Sequence, residues 1–171
     1  MRHLILSAVV LMLVACGKTG SKAYLGYWQE QDSERVAVME IKQKEGNYFF
    51  EHDIVSDDGK PYVLSEKDGQ LGIDTGLGVM SFKLSEDGNS LFFEDRSYRK
   101  IDETTKNQLL AQQESCRKLS EEYAASHKNL PPLFPSGPYD KAKTELVQRF
   151  SEQFAILEKN GKCNSKPFGL R

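Results

Sequence analysis

The stretch "SEKDGQLGID", residues 65–74, decides the fold that this sequence predicts, because it places Asp-Gly between two short runs of strand-like composition. Asp-Gly is a strong hairpin signal, since glycine tolerates the positive φ that a two-residue turn between antiparallel strands requires. Similar glycine turns recur on both sides, in "KEGN" (44–47), "SDDGK" (56–60) and "SEDGN" (85–89). The central part of the chain is therefore predicted to consist of antiparallel hairpins.

Outward from this hairpin, runs rich in Tyr, Phe, Val and Ile predict eight strands between the turns. They lie near residues 25–30, 35–42, 47–55, 61–66, 70–74, 78–85, 90–95 and 97–101. Strands joined in order by tight turns form a meander, and closing the meander into a barrel removes its exposed edges. The predicted fold class is α+β, with a small antiparallel eight-stranded meander or barrel over residues 25–101 and helices after it.

Residues 102–171 predict a helical hairpin. Residues 102–128 contain no glycine or proline, and four prolines in "NLPPLFPSGP" (129–138) then break the helix. A second helix is expected from about Tyr139 to Asn160, with Gly161 placed to end it in the left-handed conformation. Both helices carry an apolar stripe at helical spacing, formed by Leu109, Cys116, Leu119 and Tyr123 on the first and by Leu146, Phe150, Phe154 and Leu157 on the second.

The first sixteen residues have the pattern of an export signal. Arg2 and His3 precede an apolar run from Leu4 to Val14, which is much shorter than the roughly 20 residues that a membrane-spanning helix needs. A short charged start, an apolar run and a small residue at its end describe a secretory signal peptide. The alternative is an ordinary N-terminal core helix.

The motif "LVAC", residues 13–16, resembles the lipobox of bacterial lipoproteins. The resemblance implies that residues 1–15 are a lipoprotein signal peptide, that Cys16 is lipidated and starts the mature chain, and that residues 16–24 form a tether. Gly17 stands where an aspartate would signal retention at the inner membrane. The resemblance therefore implies an anchor in the outer membrane of a Gram-negative cell, facing the periplasm. In a Gram-positive host it would imply the outer face of the single membrane.

Cysteine usage agrees with export. Three cysteines are an awkward number for an exported protein, but lipidation of Cys16 leaves the even pair Cys116 and Cys163. In an oxidising compartment such a pair is most simply a disulfide, here one that ties the two helices together. A strictly antiparallel hairpin would set Cys163 opposite residues near 104, so either the segment after Gly161 folds back or the proline loop shifts the register.

The tripeptide "GYW", residues 26–28, resembles the Gly-x-Trp that opens lipocalin barrels. In that family the tryptophan closes the barrel floor, and an arginine from the last strand packs over it. The resemblance implies a barrel floor made of Gly26, Trp28 and Arg99, with Arg96 as the second choice of arginine. It covers residues 25–101, a shorter barrel than lipocalins have.

Alternation within the strands predicts that large side chains fill the barrel interior. These are Tyr48, Phe50, Ile54, Tyr62, Leu64, Leu71, Ile73, Met80, Phe82, Leu84, Leu91, Phe93 and Tyr98. Side chains of this size fill an eight-stranded barrel, which leaves little room for a ligand. Trp28 is therefore interpreted as a core residue rather than as part of a ligand cavity.

Signals for catalysis, metals and cofactors are weak. No Walker loop, His-Glu-x-x-His or Cys-x-x-Cys motif occurs, and only His52 and His127 follow the signal segment. In "EHD", residues 51–53, alternation places the two carboxylates on the opposite face of the strand from the histidine. The sequence thus predicts no enzyme, no metal and no cofactor, although a glycosidase-like pair of carboxylates stays open.

Charge and aromatic side chains lead to the functional hypothesis. The net charge is −2, without the clustered basic face that nucleic-acid binding needs. The favoured hypothesis is a non-catalytic binding or interaction module that meets an envelope protein partner. Its candidate surface is Tyr24, Tyr27, Phe49, Phe92 and the proline loop around Phe134. The alternatives are a lipocalin-like carrier of a small hydrophobic molecule and an inhibitor or immunity lipoprotein.

Overall fold

The structure is a computed structural model that describes residues 20–56, 59–134 and 136–170. It confirms the predicted α+β class, since a nearly closed antiparallel barrel is followed by two helices. The signal peptide and Cys16 lie outside the described residues. The strands are β1 (Gly26–Glu30), β2 (Val38–Lys44), β3 (Asn47–Glu51), β4 (Pro61–Lys67), β5 (Gln70–Asp74), β6 (Val79–Ser81), β7 (Lys83–Leu84), β8 (Ser90–Phe93) and β9 (Arg96–Ile101).

The sheet is a meander in which β9 returns to pair with β1, giving the order β6-β5-β4-β3-β2-β1-β9-β8-β7. The predicted strand over residues 78–85 divides at Phe82, so the prediction of eight strands is one short. Its first part, β6, pairs with β5, and its second part, β7, pairs with β8. The closing segment thus changes partner halfway, and the barrel is split at β6 and β7.

Two of the predicted glycine turns are tight hairpins. Asp68 and Gly69 both have positive φ, 52° and 77°, and so do Glu45 and Gly46, 53° and 83°. Positive φ at both central residues defines the type I′ turn, whose twist matches that of the flanking strands.

The "SDDGK" segment does not form a tight hairpin, because β3 ends at Glu51 and β4 begins at Pro61. Asp53 instead binds its own loop, accepting hydrogen bonds from the Val55 amide at 3.1 Å and the Ser56 hydroxyl at 2.5 Å. Such short side-chain contacts compete with strand pairing. The predicted strand over residues 47–55 is therefore too long by four residues.

The barrel interior is filled by aromatic rings. Phe82 stacks on Phe93 with ring centres 4.3 Å apart, and Phe50 meets Phe82 edge-on at 5.3 Å. The buried cluster is Tyr24, Trp28, Met39, Ile41, Tyr48, Phe50, Leu64, Leu71, Phe82, Leu91, Phe93 and Tyr98. Tyr62 and Met80 were predicted inside, but they are exposed at one end of the barrel.

The end of the predicted tether is packed rather than free. Ser21–Tyr24 form a 3₁₀ turn in which the Ser21 hydroxyl lies 2.8 Å from that of Tyr48. The Tyr24 hydroxyl donates to the carbonyl of Phe82 at 3.4 Å. Tyr24 is therefore a buried residue of the barrel, and the prediction that it forms part of an exposed aromatic surface is wrong.

Two helices follow, α1 (Glu103–Lys128) and α2 (Ser136–Leu157). Asp102 caps α1 by accepting a hydrogen bond from the amide of Thr105 at 2.7 Å. The second helix begins three residues earlier than predicted, with Pro138 in its first turn, where proline is tolerated. Among the described helices, none combines the length and the apolar character that crossing a bilayer requires.

The disulfide between Cys116 and Cys163 is confirmed, with a Cα–Cα distance of 5.5 Å. Both possible solutions to the register problem contribute. Tyr123 meets Phe150 at 5.3 Å, and Gln112 donates to the carbonyl of Leu157 at 3.1 Å, so the helices are shifted from simple antiparallel register. The segment after α2 then folds back to bring Cys163 under α1.

Gly161 ends the helical segment with φ 145° and ψ 166°, so the predicted left-handed conformation is wrong there. This extended positive-φ region still favours glycine. The side-chain amide of Gln112 donates to the Gly161 carbonyl at 2.7 Å, which fixes the point at which the chain folds back.

Asn164 makes two of the hydrogen bonds that dock the hairpin on the barrel. The side chain of Asn164 accepts from the Val36 amide at 2.8 Å and donates to the Val36 carbonyl at 2.7 Å. Its own amide donates to Gln113 of α1 at 2.9 Å. Asn164 therefore links the β1–β2 connection, the C-terminal segment and α1.

Candidate binding site

The two ends of the barrel differ, and the end that holds Trp28 is closed. The Trp28 side chain is fully buried, and its indole nitrogen donates to the carbonyl of Tyr24 at 2.9 Å. Lys100 lies with Nζ 4.8 Å from the ring centre and donates to the Ala23 carbonyl at 3.0 Å. Gly26 belongs to the same end, since an added Cβ would lie 3.4 Å from the side chain of Lys100.

The prediction that Arg99 packs over Trp28 is wrong. In the β1–β9 ladder Trp28 lies opposite Lys100, and Arg99 lies opposite Gln29. Directly opposed residues share a face of the sheet, so Lys100 faces the tryptophan while Arg99 faces outward and is exposed. The cation of the barrel floor is thus a lysine.

The opposite end is open and forms a concave site, which we call the cup. Its apolar wall consists of Phe50, Tyr62, Ile73, Met80 and Phe93, and its rim includes Arg35, His52 and Lys60. The cup has a volume of about 570 Å³. Tyr62 is 52% exposed and Met80 is 37% exposed, although both occupy inward-facing strand positions. The cup is therefore apolar surface that this chain leaves open to solvent.

The cup is shallow because the aromatic stack forms its floor. Phe50 and Phe93 line the cup and also contact Phe82 directly beneath it. Below these rings the interior is filled by the buried cluster. A molecule in the cup would contact the rings and the surrounding wall without entering the barrel.

One part of the rim is a network of paired charges. The Arg96 guanidinium lies 3.8 Å from the carboxylate of Glu30 and 3.1 Å from Nε2 of His52. The negative charge of Glu30 is the main cause of the raised pKa of Arg96. Burial raises the pKa of the neighbouring Tyr98 hydroxyl, so this phenol stays neutral.

Two cations on the rim have side chains without a partner among the described residues. Arg35 and Lys60 are exposed, and among the described residues neither side chain takes part in a salt bridge or a side-chain hydrogen bond. The carboxylate of Asp53 also lines the cup, where it accepts hydrogen bonds from its own loop. The rim thus carries two cations and one carboxylate next to an apolar wall.

The two histidines that follow the signal segment lie in different parts of the described structure. His52 faces the cup, and the carboxylate of Glu51 binds Lys42 on the outer face at 3.0 Å, as strand alternation predicts. The same prediction is wrong for Asp53, which lines the cup beside His52 because β3 ends at Glu51. His127 lies near the end of α1 with its ring 5.9 Å from that of Tyr123. Within the described part of the chain, no three His, Cys, Asp or Glu side chains are grouped to hold a metal ion.

The other aromatic residues predicted as an interaction surface are scattered. Tyr27 is covered by Lys106, with Nζ 4.6 Å from the ring centre, and Phe49 is partly buried. Phe92 is 45% exposed on the outer face of β8, and Phe134 is 82% exposed in the proline loop. Strand alternation predicts the cup wall in the core, but Tyr62 and Met80 each lie one residue from the end of their strand, at the open end of the barrel.

Comparison with protein families, with curated proteins and with solved structures finds no match to this chain.

Proposed function

We propose that this chain is a lipoprotein anchored in the outer membrane and facing the periplasm, and that it acts as a non-catalytic module binding an envelope protein through the cup. The observation that carries the proposal is an open apolar cup of about 570 Å³ above a filled barrel. Exposed apolar surface rimmed by polar groups is typical of interaction sites.

The geometry favours a protein partner over a small hydrophobic ligand. Sites for small molecules bury most of the ligand, on the order of 70–90% of its surface. Here the ring stack of Phe82 and Phe93 blocks the interior, and the wall residue Tyr62 is itself half exposed. A partner side chain inserted from above fits the cup, because the remainder of the partner supplies the missing cover.

The place where the chain enters the barrel supports an anchored arrangement. Ser21–Tyr24 pack at the closed end, beside Tyr48, while the cup lies at the other end of the strands. Cys16 stands four residues before Gly20, a span of at most about 14 Å of extended chain. A lipid on Cys16 would hold the closed end near the membrane and present the cup to the periplasm.

The anchor is tested by mass spectrometry of the membrane-bound protein, which should show an acylated Cys16 at the N-terminus. Cys16→Ser should move the protein to the soluble fraction. In an enteric host Gly17→Asp should keep the lipid but retain the protein at the inner membrane. A mature chain that starts elsewhere, or Cys16→Ser protein still held by the membrane, would contradict the proposed anchor.

The cup is tested in cells with a photo-crosslinking amino acid at position 62. A matched control carries the same group at position 92, since Phe92 is similarly exposed but lies on the outer face of β8. We expect a discrete covalent adduct with an envelope protein from position 62 and none from position 92. Adducts of equal yield from both positions, or a lipid adduct from position 62, would reject the cup as a protein-binding site.

A further inference from the structure

The cup lies beside an unpaired strand edge. Within the described residues β6 pairs with β5 and with no other strand, because the closing segment passes to β8 after Phe82. Met80 of this strand forms part of the cup wall. Val79 is 54% exposed, and Leu77 in the preceding turn is fully exposed. An open edge and an apolar cup thus meet in one strand.

The pairing pattern shows which backbone groups are free. Phe82 donates to the carbonyl of Leu71 at 2.9 Å, and Thr75 donates to that of Gly78 at 2.9 Å. Hydrogen-bonded and non-hydrogen-bonded pairs alternate along an antiparallel ladder. The pairs of Val79 with Asp74 and of Ser81 with Gly72 are therefore the non-hydrogen-bonded ones. The amides and carbonyls of Val79 and Ser81 point away from β5, toward the split.

The half of the split toward the closed end, next to Phe82, is covered by other residues of this chain. Toward the closed end, the 3₁₀ turn Ser21–Tyr24 packs against β5, and Tyr24 binds the carbonyl of Phe82. Natural proteins cover or blunt free strand edges, because such edges pair readily with other chains. Among the described residues, the edge of β6 has no such cover.

The charges of the cup indicate what kind of segment fits there. Arg35 and Lys60 stand on the rim without carboxylate partners in the described chain. The wall below them is apolar. A complementary segment therefore combines carboxylates with apolar side chains, and both stand at alternate positions, because every second residue of an extended strand points to the same side.

We propose that the partner adds a short extended segment to the free edge of β6, with apolar side chains in the cup and carboxylates near Arg35 and Lys60. Backbone hydrogen bonds to Val79 and Ser81 align the segment, and the side chains supply the selectivity, as in other cases of strand addition. This inference rests on the proposed function and specifies how that site binds.

The test uses the full-length protein and a displayed library of random ten-residue peptides. We expect selection of peptides in which the apolar residues and Asp or Glu share one set of alternate positions, so that all of them face the cup. For a selected peptide, Val79→Pro should weaken binding at least tenfold, since proline removes the outward amide but leaves the hydrogen bonds of the Ile73–Met80 pair intact. Val79→Ala keeps the amide and is the matched control, which should bind with affinity within about threefold of the wild type.

A second experiment uses only the wild-type protein, so its result does not depend on whether a variant folds. Methylating alternate backbone nitrogens of the selected peptide should abolish binding to the wild-type protein in one register and not in the other. The inference is overturned if both methylated registers bind equally, if selected peptides lack acidic residues, or if no peptide is selected. Photo-crosslinking from position 62 would still stand in those cases, so failure of strand addition is distinguishable from failure of the cup.

Discussion

At the scale of single residues, the closed end of the barrel depends on Lys100, which contacts both the core and the N-terminal segment. Its ammonium group lies over the Trp28 ring and binds the carbonyl of Ala23. We expect Lys100→Met to lower the free energy of unfolding by about 1 kcal/mol, since a cation over tryptophan contributes on that order. Urea denaturation followed by Trp28 fluorescence measures the change.

Arg99→Met is the matched control for this substitution. Arg99 is the neighbouring exposed cation on the outer face, so its replacement should change the free energy of unfolding by less than about 0.5 kcal/mol. If Arg99→Met were the more harmful of the two, the assignment of Lys100 to the barrel floor would be wrong.

The choice between Lys100 and Arg99 shows where sequence reasoning reaches its limit. The resemblance to Gly-x-Trp pointed to an arginine of the last strand, whereas the cation over Trp28 is Lys100 of that strand. The phase of strand pairing decides which of two adjacent cations faces the tryptophan, and that phase depends on how β9 aligns with β1. A shift of one residue moves every side chain to the other face.

At the scale of elements, the β5–β6 hairpin requires a glycine at position 72. A Cβ added there would lie 2.5 Å from Cγ1 of Val79 and 2.8 Å from the carbonyl oxygen of Met80. We expect Gly72→Ala to destabilise the protein by about 1–3 kcal/mol, as overpacking against backbone does. Gly78→Ala is the matched control, because nothing lies within 4 Å of a Cβ at position 78. In thermal unfolding, Gly72→Ala should have a lower melting temperature than Gly78→Ala.

The first helix should show a pH-dependent contribution from its cap. The hydrogen bond from the Thr105 amide holds the pKa of Asp102 below its ordinary value. The cap therefore contributes stability above the pKa of the unfolded chain, and this is lost as the pH falls through the lower pKa of the folded state. The melting temperature of Asp102→Ala should fall below that of the wild type at neutral pH, with a smaller difference in acid.

Asp102→Asn separates charge from capping, because asparagine is also a good cap but does not titrate in this range. Its melting temperature should stay close to that of the wild type at neutral pH. A difference between the wild type and Asp102→Ala that does not change with pH would contradict the role assigned to the carboxylate.

The disulfide should account for much of the stability of the helical hairpin. Cys116 and Cys163 are 47 residues apart, and closing a loop of that length contributes about 4 kcal/mol if the effect is entropic. Reductant should therefore lower the urea midpoint of the wild type. The double variant Cys116→Ser/Cys163→Ser should unfold at the lower midpoint with or without reductant. An unchanged wild-type midpoint would show that helix packing alone sets the stability.

Elements with strong local signals were predictable, and those determined by long-range contacts were not. The turn at Asp68 and Gly69 needs only the conformational freedom of its own residues. The division at Phe82 instead results from two neighbouring strands that each pair with half of one segment. The cup lies at the open end of the barrel, where Tyr62 and Met80 stay exposed although strand alternation predicts them in the core.

At the scale of the whole molecule, the barrel and the hairpin form one structure through Asn164 and the disulfide beside it. The two hydrogen bonds to Val36 satisfy backbone groups of the β1–β2 connection. The same segment carries Arg35 to the rim of the cup. The C-terminal segment thus helps to hold a cup residue in place, which links the helical hairpin to the proposed site.

The proposed anchor and the proposed site together predict how the molecule stands on a membrane. The turn between β7 and β8 lies at the closed end, where the Asn89 carbonyl accepts from the amide of Lys100, whereas the β5–β6 turn lies beside the cup. Glu86 and Leu77 are exposed positions in these turns.

A fluorophore attached through Glu86→Cys should be quenched strongly by spin-labelled lipid in vesicles that carry the lipidated protein. The same fluorophore at Leu77→Cys should be quenched weakly, because the length of the strands separates it from the bilayer. Adding Cys16→Ser should abolish quenching at both positions, and stronger quenching at Leu77 would mean that the cup faces the membrane and that its occupant comes from there.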